Sequence, residues 1–272
     1  MSAPTWEVRH GDCRELMAAM PAASVDAVVT SPPYAMQRFA LYGGVPETSY
    51  PEWTVEYMRE VRRVLSPTGS AFINIREHIR NGEMSDYVHR TRLALRSDGW
   101  VECDELIWHK PDAPPVGHPK RPRRSWERVL WFSMSRNPFC DPKANGRPSS
   151  RLGGMKTKTN TEWLSDGNSS DLKSGISRCQ DIATIAVRSV PNGIKHPAAY
   201  PHALAAWIIR LGCPAGGQVL DPFCGSGSTG VAAVQEGRRF IGCEREAEYV
   251  EIARRRIAHH APVQGDLLTG AA

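Results

Sequence analysis

The stretch Asp221-Pro222-Phe223-Cys224-Gly225-Ser226-Gly227-Ser228-Thr229-Gly230 decides the fold that this sequence predicts. It follows an apolar segment, 218–221, that is typical of a buried strand, and it leads into a helical segment at 228–236. Gly225 and Gly227 let the backbone turn tightly and approach a ligand closely. A strand, a glycine-rich turn and a helix in this order predict a loop for a nucleotide-type cofactor.

An acidic residue at the end of the next predicted strand extends this signal. Glu244 lies about 20 residues beyond Gly225, where a carboxylate can accept hydrogen bonds from both hydroxyls of a ribose. Gly225, Gly227 and Gly230 also spell G-x-G-x-x-G, so an oxidoreductase that uses a dinucleotide is an alternative. The negative charge of Asp221 would repel a pyrophosphate but would favour a cationic or ammonium-bearing ligand. The loop therefore favours S-adenosylmethionine, which has an amino-acid head and a sulfonium.

A second motif, Ser31-Pro32-Pro33-Tyr34, directly follows the apolar run 25–30. Ligands of open parallel sheets bind outside the carboxyl ends of the strands, where this motif would lie. Two prolines fix the backbone and lack N–H groups, so we expect a rigid loop with carbonyl oxygens free to accept hydrogen bonds. Ser31 adds another oxygen, and Tyr34 adds a flat face for a planar ring. The motif favours a clamp for an amine-bearing ring such as a nucleobase, and an ordinary rigid turn with a packed tyrosine is the alternative.

Length and composition limit the class of protein. At 272 residues the chain suits one well-buried α/β domain with an insertion. The seven cysteines are scattered and never spaced as C-x-x-C, which argues against a zinc site or a disulfide scaffold. Residues 1–7 lack the pattern of a signal peptide, and no run has the apolar length that spans a bilayer. We therefore expect a soluble, cytoplasmic protein without a membrane partner or a metal.

Positive charge is concentrated in one part of the chain. The net charge is only +5, but 120–128 is strongly basic and contains Trp126, and further basic residues follow up to Lys158. Clustered positive charge is the pattern expected for a surface that binds a phosphate backbone, and a solvated basic face is the alternative. The predicted nucleic-acid contacts are Lys120, Arg121, Arg123, Arg124, Arg147, Arg151, Lys156 and Lys158.

Apolar periodicity predicts alternating strands and helices, which indicates α/β layering. The predicted strands are 25–30, 70–75, 101–109, 128–133, 218–221 and 239–243, and the predicted helices are 52–65, a segment ending near Gly99, 201–211, 228–236 and 247–260. Between 137 and 190 this pattern gives way to Gly, Ser, Thr, Asn and Lys. A tract of that length inside a compact domain is usually functional or disordered.

With both motifs, the chain resembles the family of N4-cytosine/N6-adenine site-specific DNA methyltransferases, in the β-class order that places Ser-Pro-Pro-Tyr before the glycine loop. The resemblance covers most of the chain outside 137–190 and includes Tyr50-Pro51-Glu52-Trp53, Leu106 to Pro111, Arg121-Pro122, Glu127 to Leu130, His196-Pro197 to Pro201, and Glu244 to Ile257. It implies the Rossmann-like α/β fold of S-adenosylmethionine-dependent methyltransferases, with a mixed, mostly parallel sheet and helices on both faces. Residues 1–136 and 191–272 would form the catalytic core, with the catalytic half first, and 137–190 would be a small, irregular target-recognition insert.

The resemblance also implies roles for individual residues. Ser31 and the Pro32 carbonyl would grip the target amine, next to Pro33 in the rigid loop, and Tyr34 would stack on the flipped base. The cofactor pocket would include Asp12, His196, Pro197, Asp221, Phe223, Gly225, Gly227 and Glu244. Asp12 as a helix cap, His196 as a surface histidine and Phe223 as a core residue are plainer alternatives.

The implied reaction moves a methyl group from S-adenosylmethionine to the exocyclic N4 amine of a cytosine flipped out of duplex DNA. Serine at position 31 favours cytosine, because aspartate is commoner there in enzymes that methylate N6 of adenine; the adenine reaction remains the alternative. RNA or protein-amide methylation is more distant, as is a cofactor- or DNA-binding protein without activity. A homodimer and a cognate restriction endonuclease both stay open.

Overall fold

The computed structural model describes residues 6–36, 44–115, 120–148, 175–187 and 200–261. Five of the predicted site residues lie outside these ranges: Arg151, Lys156, Lys158, His196 and Pro197. The strands are β1 (Trp6–His10), β2 (Val25–Thr30), β3 (Leu65–Ile75), β4 (Ile79–Arg80), β5 (Glu83–Met84), β6 (Val101–His109), β7 (Trp126–Ser133), β8 (Arg147–Pro148), β9 (Ile176–Ser177), β10 (Ile182–Thr184), β11 (Gln218–Asp221) and β12 (Arg239–Glu244). The helices are α1 (Cys13–Ala18), α2 (Tyr50–Val64), α3 (Tyr87–Ser97), α4 (His202–Gly212), α5 (Ser228–Gln235) and α6 (Ala247–His260).

One sheet of eight strands, in the order β1-β12-β11-β2-β3-β7-β6-β10, forms the centre of the structure. Seven of its strands run in the same direction, and β7 is antiparallel to both of its neighbours. The predicted mixed, mostly parallel sheet is therefore confirmed. One edge of the sheet carries the carboxyl ends of the seven parallel strands together with the amino end of β7, and we call it the carboxyl edge.

Helices cover both faces of the sheet and create two cores. Helices α4, α5 and α6 contribute buried side chains to one core, and α1, α2 and α3 contribute to the other. Successive residues of β2 alternate between them, since Ala27 and Val29 lie in the first core and Val28 lies in the second. A strand that is buried on both faces reads as a continuous apolar run, as 25–30 does.

The amino-terminal part of β3 differs from the sequence prediction. The helix predicted at 52–65 ends at Val64 as expected, but β3 begins at Leu65, before Pro67 and Gly69. The pairing shifts between Val25–Leu65 and Ala27–Ser70, so Pro67 and Gly69 occupy an irregular stretch of the strand. A bulge tolerates proline because the ladder needs no N–H there, and a Cβ at Gly69 would lie 2.9 Å from the Asp26 carbonyl oxygen.

Part of the irregular tract 137–190 joins the central sheet. The short strand β10 pairs in parallel with β6, and β8 and β9 form a separate antiparallel pair. Strands of two or three residues are too short to produce a periodic apolar pattern, which is why the sequence did not predict them. Among the described residues, no helix has the length and apolar character needed to cross a membrane.

Candidate active site

The two sequence motifs meet at the carboxyl edge because their strands are neighbours. β11 pairs with β2, so the glycine loop after Asp221 and the loop after Thr30 leave the sheet side by side. The Thr30 hydroxyl donates a hydrogen bond of 2.7 Å to Asp221 Oδ1, and both side chains are buried. This bond fixes the start of one loop against the start of the other.

The glycine loop has the backbone shape that its sequence predicts. Gly225 and Gly227 have φ values of +53° and +84°, which side chains disfavour, and α5 begins directly after Gly227. A Cβ at Gly227 would also lie 3.0 Å from the Cβ of Ala253 in α6. The turn therefore brings the amino end of α5 close to the sheet edge, as a cofactor loop requires.

Glu244 closes this loop from the end of the adjacent strand β12. Its Oε2 accepts the Gly225 N–H at 2.8 Å, and its Oε1 accepts the Glu246 N–H at 2.9 Å. The residue is only 4% exposed, and burial raises the pKa of its carboxyl. Each carboxylate oxygen has a second lone pair, so Glu244 can still accept hydrogen bonds from two ribose hydroxyls.

Asp221 is fully engaged within the protein. Its carboxylate accepts hydrogen bonds from Thr30, from the Phe223 N–H at 3.0 Å and from the Thr229 hydroxyl. Burial raises the pKa of Asp221 to about 6 despite these bonds. The carboxylate thus organises the loop and also places negative charge beneath it.

An aromatic wall lies beside the loop. The Phe223 ring contacts Tyr57 and Trp53, with ring centroids 5.0 Å and 5.6 Å apart. Phe223 itself is only partly buried, so it belongs to the edge of the core and also presents apolar surface. Such a surface suits the apolar part of a ligand bound across the glycine loop.

Asp12 lies next to this site and caps a helix. The Gly11 N–H donates to the Glu244 carbonyl at 2.9 Å, which places Asp12 near the end of β12. Asp12 Oδ1 accepts the Arg14 N–H at 2.9 Å as the N-cap of α1. The Arg14 guanidinium binds both carboxylate oxygens and lowers the pKa of Asp12. Helix capping, the plainer of the two interpretations from sequence, is therefore present.

The prolines of the Ser31–Tyr34 loop differ in how their carbonyl oxygens are used within the described part of the chain. The Pro32 carbonyl makes no hydrogen bond with any residue in the described ranges, whereas the Pro33 carbonyl accepts the Tyr50 hydroxyl at 3.0 Å. Ser31 is half-buried beside it. The prediction that the carbonyl oxygens of the loop are free thus fits Pro32, and Pro33 instead anchors the loop to α2.

Tyr34 is held by residues that the sequence analysis did not single out. Its hydroxyl donates to Glu127 Oε2 at 2.7 Å and accepts from Asn74 Nδ2 at 3.0 Å. Lys110 Nζ lies 2.6 Å from the other oxygen of Glu127. The stretch containing Glu127 contributed to the family resemblance, but an acidic residue at a strand end gives no sign of its partner in a distant loop.

The predicted basic residues fall into two groups. Arg124 is half-buried and pairs with Glu77, and Arg121 donates to the Gly82 carbonyl at 2.6 Å. Arg123 is exposed and has no polar partner in the part of the chain that the structure describes, and Lys120 and Arg147 are also exposed. Within the same ranges, no cluster of His, Cys, Asp or Glu is suited to a metal ion.

Comparisons with known proteins agree with this architecture. The family model described as DNA methylase matches residues 25–255. The Type II methyltransferase M.SmaI of Serratia marcescens is 27% identical over 281 residues, covering 91% of this chain and 89% of that protein. M.PvuII of Proteus hauseri, also a Type II methyltransferase, is 28% identical over 268 residues, covering 88% and 80%.

Solved structures resemble the chain over nearly its whole length. The cytosine-N4-specific PvuII DNA methyltransferase aligns with a TM-score of 0.72 and 25% identity, covering 93% of this chain and 88% of that one. TTHA0409 of Thermus thermophilus, solved in complex with S-adenosyl-L-methionine, aligns with a TM-score of 0.62 and 26% identity, covering 94% and 96%. Because the family model spans most of the sequence, this chain belongs to the DNA methylase family.

Proposed function

We propose that this protein transfers the methyl group of S-adenosylmethionine to the exocyclic N4 amine of a cytosine that is flipped out of duplex DNA. The observation that carries the proposal is the junction of the two loops through Thr30 and Asp221. It keeps a cofactor loop and an amine clamp at adjacent positions on one edge of the sheet. A methyl donor and its acceptor need that proximity for direct transfer.

The residues of the glycine loop fit S-adenosylmethionine. Gly225 and Gly227 form a turn with positive φ values that side chains disfavour, Glu244 has free lone pairs for a ribose, and Phe223 offers apolar surface. When bound, the cofactor supplies an electrophilic methyl group on a positively charged sulfur. The buried negative charge of Asp221 favours such a cation nearby.

Ser31 and Pro32 would prepare the amine for attack. The lone pair of an exocyclic amine is delocalised into the base, so the nitrogen is a poor nucleophile. Hydrogen bonds from the two amine hydrogens to Ser31 Oγ and the Pro32 carbonyl would turn the lone pair out of the ring plane. These bonds strengthen as the nitrogen becomes positive in the transition state, which is differential stabilisation. The excess proton leaves to solvent or through Ser31, and no covalent intermediate is needed.

The choice of cytosine rests on Ser31 and on the relatives. Serine at this position favours the N4 amine of cytosine, and the solved PvuII methyltransferase is cytosine-N4-specific. The relatives named as Type II methyltransferases support a site-specific role beside a restriction endonuclease. We assign recognition of the site to 137–190, since base readout needs side chains beyond the clamp.

Incubation with duplex DNA and methyl-labelled S-adenosylmethionine, followed by digestion to nucleosides and mass analysis, tests the proposal. We expect N4-methylcytosine. Exclusive formation of N6-methyladenine would reject the cytosine assignment, and the absence of labelled DNA over a range of duplex sequences would reject the reaction.

The Ser31→Ala variant tests the clamp. We expect kcat to fall about 100-fold, because one acceptor for the positive nitrogen is lost, while the Kd of S-adenosylmethionine changes less than about twofold. Ser49→Ala is the matched control, since Ser49 is an exposed serine at the start of α2. Equal loss of cofactor binding and turnover in Ser31→Ala would instead assign Ser31 a structural role.

A further inference from the structure

Glu127 is the centre of a polar cluster that the predicted site does not include. It lies at the amino end of β7, and its side chain is only 13% exposed. Tyr34, Asn74, Lys110 and Arg76 all direct polar atoms to its carboxylate, at 2.7, 2.9, 2.6 and 3.8 Å. Burial of a carboxylate destabilises the folded state unless each of its oxygens has a hydrogen-bond or ion-pair partner. Both oxygens of Glu127 have such partners.

The two oxygens of Glu127 have different partners. Oε1 faces the cations Lys110 and Arg76, and Oε2 accepts hydrogen bonds from Tyr34 and Asn74. Burial works to raise the pKa of Glu127, but Lys110 and the two hydrogen bonds outweigh it, so the pKa is lowered. Burial together with the adjacent carboxylate raises the pKa of Tyr34 well above its usual value. At neutral pH the pair therefore consists of an anionic acceptor and a neutral phenol donor.

This cluster restrains the phenol of Tyr34 from two sides. The hydroxyl donates to Glu127 and accepts from Asn74 Nδ2, so the ring has little freedom to rotate about its bond to the loop. Asn74 Oδ1 is buried and has no hydrogen-bond partner among the described residues. An unpaired buried amide oxygen is unfavourable, so Tyr34 and Glu127, not the needs of Asn74, set the orientation of this amide.

We infer that Glu127 is a positioning residue that, with Asn74 and Lys110, holds the Tyr34 ring in the orientation on which the target base stacks. The inference rests on the proposed function for the identity of the stacked ring. It explains why Tyr34, which follows β2, is bound to a charged residue two strands away. Asn74 lies on the neighbouring strand β3, and the charged Glu127 lies beyond it on β7. Stacking contributes to base capture only when the aromatic face is already placed.

Glu127→Gln tests this role while preserving the shape of the side chain. The amide oxygen of Gln can accept a hydrogen bond either from Lys110 or from Tyr34. The amide nitrogen, which is itself a donor, then faces the other of these two donors. We expect kcat/KM for DNA to fall about 10- to 100-fold, mainly through KM, because a hydrogen bond to a charged acceptor is lost. Adding Lys110→Met removes the nearer of the two cations, which lies at 2.6 Å while Arg76 lies at 3.8 Å, so the double variant should regain most of the lost kcat/KM.

Glu102→Gln is the matched control. Glu102 lies on β6 at the opposite edge of the same sheet, pairs with Arg92 and Arg96, and has a side chain 11% exposed. If the effect were general weakening of the sheet, Glu102→Gln would reduce kcat/KM as Glu127→Gln does. We expect kcat/KM of the control to stay within about twofold of wild type.

A second measurement reads the ring directly and needs no DNA. The seven tyrosines are replaced by 3-fluorotyrosine, and Tyr34→Phe identifies the fluorine NMR signal of Tyr34. We expect Glu127→Gln to shift or broaden that signal and Lys110→Met to reverse the change in the double variant. An unchanged Tyr34 signal in Glu127→Gln overturns the inference. Failure of the wild-type protein to methylate DNA would reject the proposed function alone, because the NMR comparison still decides whether Glu127 positions Tyr34.

Discussion

At the scale of single residues, Asp221 joins the two loops, and its burial disfavours the charged form of its carboxylate. Its carboxylate receives three hydrogen bonds, yet its pKa is still raised, so desolvation outweighs them. A charge in this position is unfavourable for folding but favourable for a cationic ligand. Conflicts of that kind are typical of functional sites.

Asp221→Asn should therefore change how stability depends on pH. The pKa of about 6 in the folded protein lies above the ordinary value of 3.8, so the folded state binds the proton more tightly than the unfolded chain. The stabilising contribution is complete below about pH 4 and is lost as the pH rises through about 6. Relative to Asp221→Asn, wild type should lose up to about 3 kcal/mol of unfolding free energy between pH 4 and pH 7.

Urea denaturation of both proteins at each pH measures this difference. The Asn side chain has the same shape, and its amide can donate to the Thr229 hydroxyl, which can donate in turn to the Val29 carbonyl. The packing is therefore preserved while the charge is removed. If the two stability curves run parallel from pH 4 to pH 7, Asp221 does not titrate as we describe.

At the scale of secondary-structure elements, the close packing of α5 against its neighbours depends on a glycine. A Cβ at Gly230 would lie 2.4 Å from Ile257 Cδ1 on α6 and 2.7 Å from Phe240 Cε1 on β12. Alanine would ordinarily favour a helix by about 1 kcal/mol over glycine, but overpacking costs about 1–3 kcal/mol. We expect Gly230→Ala to destabilise the protein by up to about 2 kcal/mol in urea denaturation.

A double-mutant cycle identifies the cause of that loss. Ile257→Val removes the Cδ1 atom that the new Cβ would meet first. The combined variant should be less destabilised than the sum of the two single changes, with a coupling of about 0.5 kcal/mol or more. Strict additivity would mean that the new Cβ does not meet Ile257.

The elements also mark how far the sequence could predict the structure. Long periodic segments such as α2 and α6 appear within about two residues of their predicted ends, because one face of each is buried continuously. Helix α1, with six residues, and strand β10, with three, are too short to show a period, and tertiary packing decides them. The sequence predicts the glycine loop and the Ser31–Tyr34 loop because each is a continuous stretch of residues. It does not predict the role of Glu127, because that role depends on the pairing of β3 with β7, which brings distant residues together.

At the scale of the whole molecule, the basic tract serves two purposes. Glu77 has a side chain 1% exposed and pairs with Arg128 at 2.9 Å and with Arg124 at 3.8 Å. These arginines balance a buried carboxylate at the carboxyl edge. Arg123 is different, because it is exposed and has no polar partner in the described ranges. The positive charge of 120–128 is therefore partly structural and partly available to a phosphate backbone.

Arg123→Ala and Arg128→Ala should separate these two purposes. Removal of Arg123 should weaken DNA binding and reduce the slope of log affinity against log salt by about 1, as loss of one phosphate contact does. The free energy of unfolding should change by less than about 0.5 kcal/mol. Arg128→Ala should instead destabilise the fold by about 3 kcal/mol or more, since among the described residues Glu77 would keep only the more distant Arg124 and the weak contact from His89. Titration of labelled duplex at several salt concentrations, paired with urea denaturation, measures both quantities. An unchanged salt slope in Arg123→Ala would place the DNA backbone on another surface, and an unaltered stability of Arg128→Ala would mean that Glu77 does not need this partner.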